Sequence, residues 1–572
     1  MPFPVSPGLK VSNKDVVSFT LDRPTYDKDK PVLIDPENPS NYISHRDATD
    51  LILKLIAGLR AVGVRPGDTV CIHSFNSLYY PIICLAVIGV GAVFVGTNPG
   101  YSSYELLHAL KIAKVRFVFA EPALSINFHT ILPKIRLSVE DNLFLLDGKY
   151  TLGPGDASQK SKSVANARSW QSLLEHGTAA WIRFDDEELS YNTTACYFYT
   201  SGTTGLPKCT ATSHRNLVAQ HQLFYEMNPR SYTFRAVLCM PFFHVGALPA
   251  VLVSQFREGR EAYIMRRFDL EPFLSYHPKY NITEGFVVPP MILQIMNSGF
   301  ADPNSPKFKY SLRSVKNMYS GAAPLSAELQ KQFHGCLARE ASMTQLWGMT
   351  ETSSVATIVP NHLNYGDCPK AWEPIYGTVG VPLPGLEMKL INPEGQDVTE
   401  TGLGELCVKG PTVVRGYHDN LAATKESWDE EGFFKTGDTI LVDKKSGLFR
   451  VVDRSKDLIK VRGFQVAPAE IEAVILTHPL VADVGVIGQR ESVEEEKPRA
   501  YVVRQPNVGP TDLTEEDVQK YVRERLARYK SLTGGVRFID QVPRMANGKI
   551  LKRVLREMAE LERKHSAIKH VL

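Results

Sequence analysis

Apolar and polar positions alternate along the chain with two different periods. In LILKLIAGLRAVGV (51–64) and ELLHALKIAKV (105–115) apolar residues recur every three or four positions, which predicts helices. TVCIHSF (69–75) and RFVFAE (116–121) are short, nearly continuous apolar runs, the pattern of buried strands. The two kinds of segment follow one another, so the chain predicts an α/β fold: parallel sheets with helices on their faces. YYPIICLAVIGVGAVFVG (79–96) is long enough to suggest a membrane span. It holds Pro81, Gly89 and Gly91 and lacks basic flanks. It therefore predicts a buried helix running into a buried strand, and no membrane span.

The pattern changes near Val452–Lys460. Before it lie turn-rich strand-like segments such as GELCVKGPTVVRGY (404–417). After it come AEIEAVILTH, DVGVIG and AYVV, then a helix that opens with Thr514 three residues before Asp517, a capping-box spacing. Val518, Val522 and Leu526 follow at helical spacing. This predicts two domains, 1–453 and 454–572, the second a small α+β unit. No internal repeat or low-complexity segment is present.

The chain has 572 residues, more than one core usually supports. With 43% hydrophobic and 22% charged residues it reads as a folded protein. A net charge of +3 gives no reason to expect a nucleic-acid partner. The eight cysteines are scattered without a CxxC pair, the usage of reduced intracellular thiols rather than a disulfide frame or zinc cluster. No signal peptide is legible, and the final His-Val-Leu does not match the Ser-Lys-Leu peroxisomal address, so the cytoplasm is the expected compartment.

The sharpest local signal is YTSGTTGLPK (199–208). Glycines let the backbone approach a ligand, hydroxyls and amide N–H groups donate to phosphate oxygens, and a lysine offsets charge. The spacing is not that of a Walker loop: Gly202 and Gly205 are too close, and Cys209 follows Lys208. A polar surface turn is the alternative reading of this loop taken alone.

Six further segments accompany it in order: SGAAPL (320–325), QLWGMTET (345–352), GELCVKGP (404–411), KTGD (435–438), DRSKDLIKVRGFQVAPAEIE (453–472) and RMANGKILKR (544–553). Together they resemble the adenylate-forming superfamily of acyl- and aryl-CoA synthetases, luciferases and peptide-synthetase adenylation domains, nearest to 4-coumarate:CoA ligase-like enzymes. The resemblance spans about Ser44 to Arg556. It implies a large N-terminal domain of two α/β subdomains plus a small β-barrel, followed by a small mobile α+β C-terminal domain. It also implies ATP, magnesium and coenzyme A as reactants and cofactors, with a carboxylic acid as substrate.

The resemblance assigns roles by position. Thr200, Ser201, Gly202, Thr203, Thr204, Gly205 and Lys208 would hold the outer phosphates of ATP. Thr350 would contact the α-phosphate and Glu351 would hold magnesium. Trp347 and Gly348 would lie near the adenine, with Gly321, Ala322 and Ala323 as a small-residue wall. Asp438 would accept the ribose hydroxyls and Arg454 would add a contact. Lys549 would bridge carboxylate and α-phosphate in the transition state. Lys456 would be the hinge of a domain rotation that brings Lys460, Arg462, Gly463 and Gln465 to coenzyme A. Arg462 stands where relatives usually have lysine, which keeps the charge and changes its shape. His244 would sit where acyl group and coenzyme A meet. A lone histidine or lysine is otherwise a packed or solvated side chain, and the motifs decide against that.

Val245, Gly246, Ala247, Ala250, Ser320, Leu346, Ser354 and Val355 would line the acyl pocket. Plant hydroxycinnamate ligases carry tyrosine where Gly246 falls and glycine where Leu346 falls, so the pocket is reshaped. Amino-acid-activating domains place an aspartate near Phe243–His244. Its absence predicts a neutral-tailed acid, aryl or medium-chain, because a buried ammonium needs a partner. Three rival readings share the scaffold: loading of a separate carrier protein or megasynthase, luciferase-type oxygenation, and a nucleotide-binding scaffold without catalysis. The presence of Glu351, Asp438, Arg454 and Lys549 argues against the last.

Overall fold

A computed structural model describes residues 10–148, 166–200, 208–323, 325–360, 375–454, 457, 459–461, 464–490, 496–526, 528–545 and 548–569. The predicted helix at 51–64 begins earlier, as His45–Ala61, because Ser44 and Asp47 form a capping box. The predicted helix at 105–115 runs Ser103–Ile112 behind the Ser102–Glu105 box. The segment 79–96 is a wholly buried helix, Tyr80–Gly89, followed by the wholly buried strand Val93–Thr97. No helix among the described residues is long and apolar enough to cross a membrane.

Two seven-stranded sheets dominate. In one the order is Arg168–Ser169, Leu143–Leu145, Val115–Ala120, Thr69–His73, Val93–Thr97, Thr194–Tyr199, Cys209–Ser213. In the other it is Ser342–Gln345, Asn317–Ser320, Glu284–Val287, Arg235–Leu238, Glu261–Ile264, Pro31–Ile34, Tyr42–Ser44. Each is parallel except for its last pair, in the order given. Parallel strands buried on both faces need apolar side chains throughout, which is why these runs did not alternate.

Antiparallel strands follow. Glu387–Ile391, Leu403–Lys409, Phe434–Val442 and Phe449–Arg454 form one sheet, and Trp347–Met349, Ser354–Ile358 and Val381–Pro382 another. A Gly380–Phe449 bridge joins them. Past this region, Val481–Arg490, Glu496–Arg504 and Val536–Phe538 form a sheet covered by the helices Pro468–Leu476 and Glu515–Arg523. Its apolar core draws only on residues between Ile459 and Phe538, apart from the cores of the larger part. The Thr514–Asp517 capping box is present.

Several histidines are buried in the neutral form. His214 accepts a hydrogen bond at Nδ1 from the Val16 backbone N–H, at 3.1 Å. Burial pushes its pKa down to about 3, and those of His73 and His277 to about 4. The unfolded chain takes up these protons near the ordinary histidine pKa. Stability is therefore intact above that value and is lost as the pH falls from it toward the folded values. The apparent unfolding temperature should drop between pH 7 and pH 5, and His214→Asn, which keeps an acceptor for Val16, should flatten that slope. A midpoint that rises on acidification would contradict this.

Candidate active site

Tyr199 ends one arm of a hairpin. Strands Thr194–Tyr199 and Cys209–Ser213 pair antiparallel, and Thr200 N–H donates to the Lys208 carbonyl at 2.8 Å. Lys208 N–H donates to the Thr200 hydroxyl at 3.2 Å. Ser201, Gly202, Thr203, Thr204 and Gly205 themselves lie outside the described residues. The strand Cys209–Ser213 was not anticipated; its Cys-Thr-Ala-Thr-Ser sequence is too short and polar to stand out beside the loop.

Both anchors of the hairpin open into a cavity of about 570 Å³. Its wall gathers Thr200, Lys208, His244, Val245, Gly246, Ala247, Ala250, Gly321, Ala322, Leu346, Trp347, Gly348, Thr350, Glu351, Ser354, Val355 and Lys549. These positions are scattered over some 350 residues of sequence, yet one concavity joins them. Ser320, Ala323 and Asp438 do not line it. Ser320 is fully buried behind the wall, and its hydroxyl has no hydrogen-bond partner among the described residues. Arg454, Lys460 and Gln465 are described as strand backbone only, and Lys456, Arg462 and Gly463 lie outside the described residues.

Backbone strain shapes the wall. Ala322 has φ +69°, Ser353 +56° and Ser354 +113°, conformations that a side chain disfavours. Gly348, opposite Val355, lies so close to the partner strand that an added Cβ would be 1.8 Å from the Ser354 carbonyl oxygen. The tight hairpin Trp347–Met349/Ser354–Ile358 therefore needs glycine at 348.

Polar groups are held by partners that the motifs did not announce. The Trp347 indole N–H donates to the Asp438 carboxylate at 2.9 Å, and both residues are buried. The Tyr417 hydroxyl donates to Glu351 Oε1 at 2.8 Å, and Lys208 Nζ sits 4.7 Å from the centre of the Tyr417 ring. Burial and the Glu351 charge push the Tyr417 pKa well above its ordinary value, so it stays a donor. Tyr417 thus touches both Lys208 and the Glu351 carboxylate. It was legible only as the last residue of GELCVKGPTVVRGY.

His244 accepts a hydrogen bond at Nδ1 from the Gly246 backbone N–H, at 3.0 Å. That leaves Nε2 as the protonated nitrogen of the neutral ring. Burial holds its pKa down at about 4, which keeps the ring neutral near pH 7. Lys549 arrives from the tail. Its turn is closed by Met545 N–H to the Lys549 carbonyl and by Gly548 N–H to the Met545 carbonyl, both 2.8 Å. Arg544 donates to the Gly548 carbonyl at 2.7 Å and to Asp483 at 2.6 Å, fixing the turn to the sheet below. Asp457 lines the same cavity. Burial alone would raise its carboxyl, but Lys552, Arg556 and Lys549 hold it below the usual carboxylate range.

A buried ion pair borders the cavity through Glu284. Arg230 makes two bonds to Glu284, at 2.8 and 3.0 Å, and the Tyr232 hydroxyl adds a third at 2.7 Å. Glu284 lines the cavity, so a carboxylate that the sequence did not flag is present. Burial would raise its pKa, but Arg230 holds it low. It is already matched in charge.

Comparison with protein families gives two matches: AMP-binding enzyme over residues 22–418, and AMP-binding enzyme C-terminal domain over 470–549. The chain belongs to the AMP-binding enzyme family. This AMP-binding enzyme is 42% identical over 554 residues to phenylacetyl-CoA ligase epaB of Aspergillus niger, covering 96% of this chain and 98% of that one. It is 42% identical over 552 residues to acyl-CoA ligase azaF of another Aspergillus niger strain, covering 96% and 99%. ATP-bound MatB from Rhodopseudomonas palustris superposes with a TM-score of 0.78 at 26% identity, over 96% of this chain and 99% of that one.

For an AMP-binding enzyme built this way, Gly348→Ala should weaken AMP binding. Overpacking typically costs about 1–3 kcal/mol, and about 1.4 kcal/mol is tenfold in affinity. Calorimetric titration should show the AMP Kd raised at least about fivefold. An unchanged Kd would mean that the hairpin does not shape the nucleotide site.

Proposed function

We propose that this chain is an ATP-dependent acyl-CoA ligase that activates an aryl or medium-chain carboxylic acid as its acyl-adenylate. The observation that carries the reading is the position of Lys549: a cation from the tail lines the same cavity as Thr350, Glu351 and His244. Full-length similarity to acyl-CoA ligases supports it. A carboxylate is a poor electrophile, and exchange of its charge for an AMP leaving group removes that obstacle. The acid's oxygen attacks the α-phosphorus and pyrophosphate leaves. Lys549 would bridge the two approaching anions, with Thr350 on the α-phosphate and Lys208 and the hydroxyl loop on the departing phosphates.

The small residues Gly321 and Ala322 in the wall would leave room for adenine. Asp438, positioned by Trp347, would take the ribose hydroxyls, with Arg454 beside it. Glu351 lines the cavity, and no cluster of three or more His, Cys, Asp and Glu residues stands there among the described residues. One carboxylate fits magnesium brought with the nucleotide, which would offset phosphate charge.

In the second step the thiol of coenzyme A attacks the acyl carbon, AMP leaves and the thiol proton passes to solvent. The division at 453/454 and a rotation about Lys456 would withdraw Lys549 and present Lys460, Arg462, Gly463 and Gln465. The separate apolar core after Ile459 supports that division. Neutral His244 would donate from Nε2 at the junction.

Lys549→Ala should lower pyrophosphate release about 10²–10³-fold with the apparent unfolding temperature unchanged. Undiminished release would rule out the assigned role. Assays with and without coenzyme A should give the thioester only with it. Transfer solely to a carrier-protein thiol would replace the proposed acceptor.

A further inference from the structure

The segment 414–418 is bonded to two parts of the site. At one end, Val414 N–H donates to the Glu351 carbonyl at 2.9 Å. At the other, His418 N–H donates to the Cys209 carbonyl at 2.7 Å, and Ala211 N–H donates to the Gly416 carbonyl at 3.2 Å. The segment therefore runs from the turn Thr350–Thr352, which carries Glu351, to the strand Cys209–Ser213, which follows Lys208. Gly416 permits its course, because a Cβ there would lie 2.6 Å from Thr424 Cγ2. Tyr417 N–H donates to the Thr424 hydroxyl at 3.0 Å, and the Trp428 ring meets the Tyr417 ring edge to face, with centroids 5.7 Å apart. The backbone of Tyr417 and its ring are both held.

Held in this way, the Tyr417 side chain touches two opposite charges. Its hydroxyl donates to Glu351 Oε1, and its ring lies under Lys208 Nζ. All three residues line the cavity. Opposite charges on one cavity wall attract each other, because their fields are less screened there than in water. A direct pair would leave less of either charge for a ligand. A tyrosine offers each charge a weaker, neutral partner: the face of its ring for the cation and its O–H for the anion.

We propose that Tyr417 is a positioning residue for the triphosphate. Its ring seats Lys208 toward the departing phosphates, and its hydroxyl aims the Glu351 carboxylate at their magnesium, so that the two charges serve the nucleotide and not each other. The inference deepens the ligase reading and rests on its assignments of Lys208 and Glu351. AMP carries neither the outer phosphates nor their magnesium, so its binding should not sense the tyrosine.

Calorimetric titration without any acid separates the two roles. The probes are AMP and an ATP analogue with methylene in place of the α,β-bridging oxygen, each with magnesium or with EDTA. Tyr417→Phe keeps the ring and removes the hydroxyl. It should raise the Kd of the analogue at least about fivefold with magnesium and leave it within about twofold in EDTA. Tyr417→Leu removes the ring as well, and should raise the Kd at least about threefold in EDTA too. The AMP Kd should stay within about twofold in both variants, which also shows that they are folded. Equal losses for AMP and the analogue would make Tyr417 a structural residue and overturn the proposal. So would wild-type binding of the analogue by the Phe variant with magnesium, or by the Leu variant in EDTA. A wild type that binds the analogue no better with magnesium than in EDTA would overturn it together with the assignment of Glu351. The expected pattern in a protein that makes no acyl-adenylate from any acid would sustain the proposal and overturn the ligase reading instead.

Discussion

The contact on which the site depends is the meeting of the Gly548 turn with the start of the helix Pro289–Ser298. A Cβ at Gly548 would lie 3.1 Å from Pro290 and 3.3 Å from Val288, and its φ is +85°. Glycine satisfies both the conformation and the approach. The next residue is Lys549. A long, mobile ammonium gains little from being near an anion in water, but at a cavity wall its field is far less screened. The turn that carries the charge is anchored through Arg544 and Asp483.

The cavity wall is correspondingly constrained around the hairpin that carries Gly348. Gly348 against Ser354, and left-handed Ala322 and Ser354, hold the backbone in shapes that cost free energy. The surrounding sheets over-determine these shapes. Protonation states are held as firmly. Neutral His244 donates from one nitrogen only, Tyr417 remains a phenol, and Glu284 is matched by Arg230. None of these needs to change during the chemistry, which suits a site whose work is positioning and electrostatics.

Much of the architecture was legible because buried parallel strands and capped helices write strong local patterns. The segment 79–96 reads as helix then strand through its proline and glycines, and both elements are there. The motifs named most of the cavity wall, since their spacing reflects turns that few other residues allow. Long-range partners were not legible. Nothing in the sequence near Trp347 indicates that its indole meets Asp438, 91 residues on. The Tyr417–Glu351 bond and the Arg230–Glu284 pair are likewise products of strand order. Ser320, which the resemblance assigned to the acyl pocket, ends a buried strand and does not line the cavity.

The central claim is that one residue of the tail serves the first half-reaction and withdraws for the second. Single-turnover kinetics on Lys549→Met, started from chemically prepared acyl-AMP plus coenzyme A, separates the two. The account predicts that thioester forms from the adenylate at close to the wild-type rate, although the variant makes almost no adenylate from acid and ATP. Equal loss of both half-reactions would contradict it.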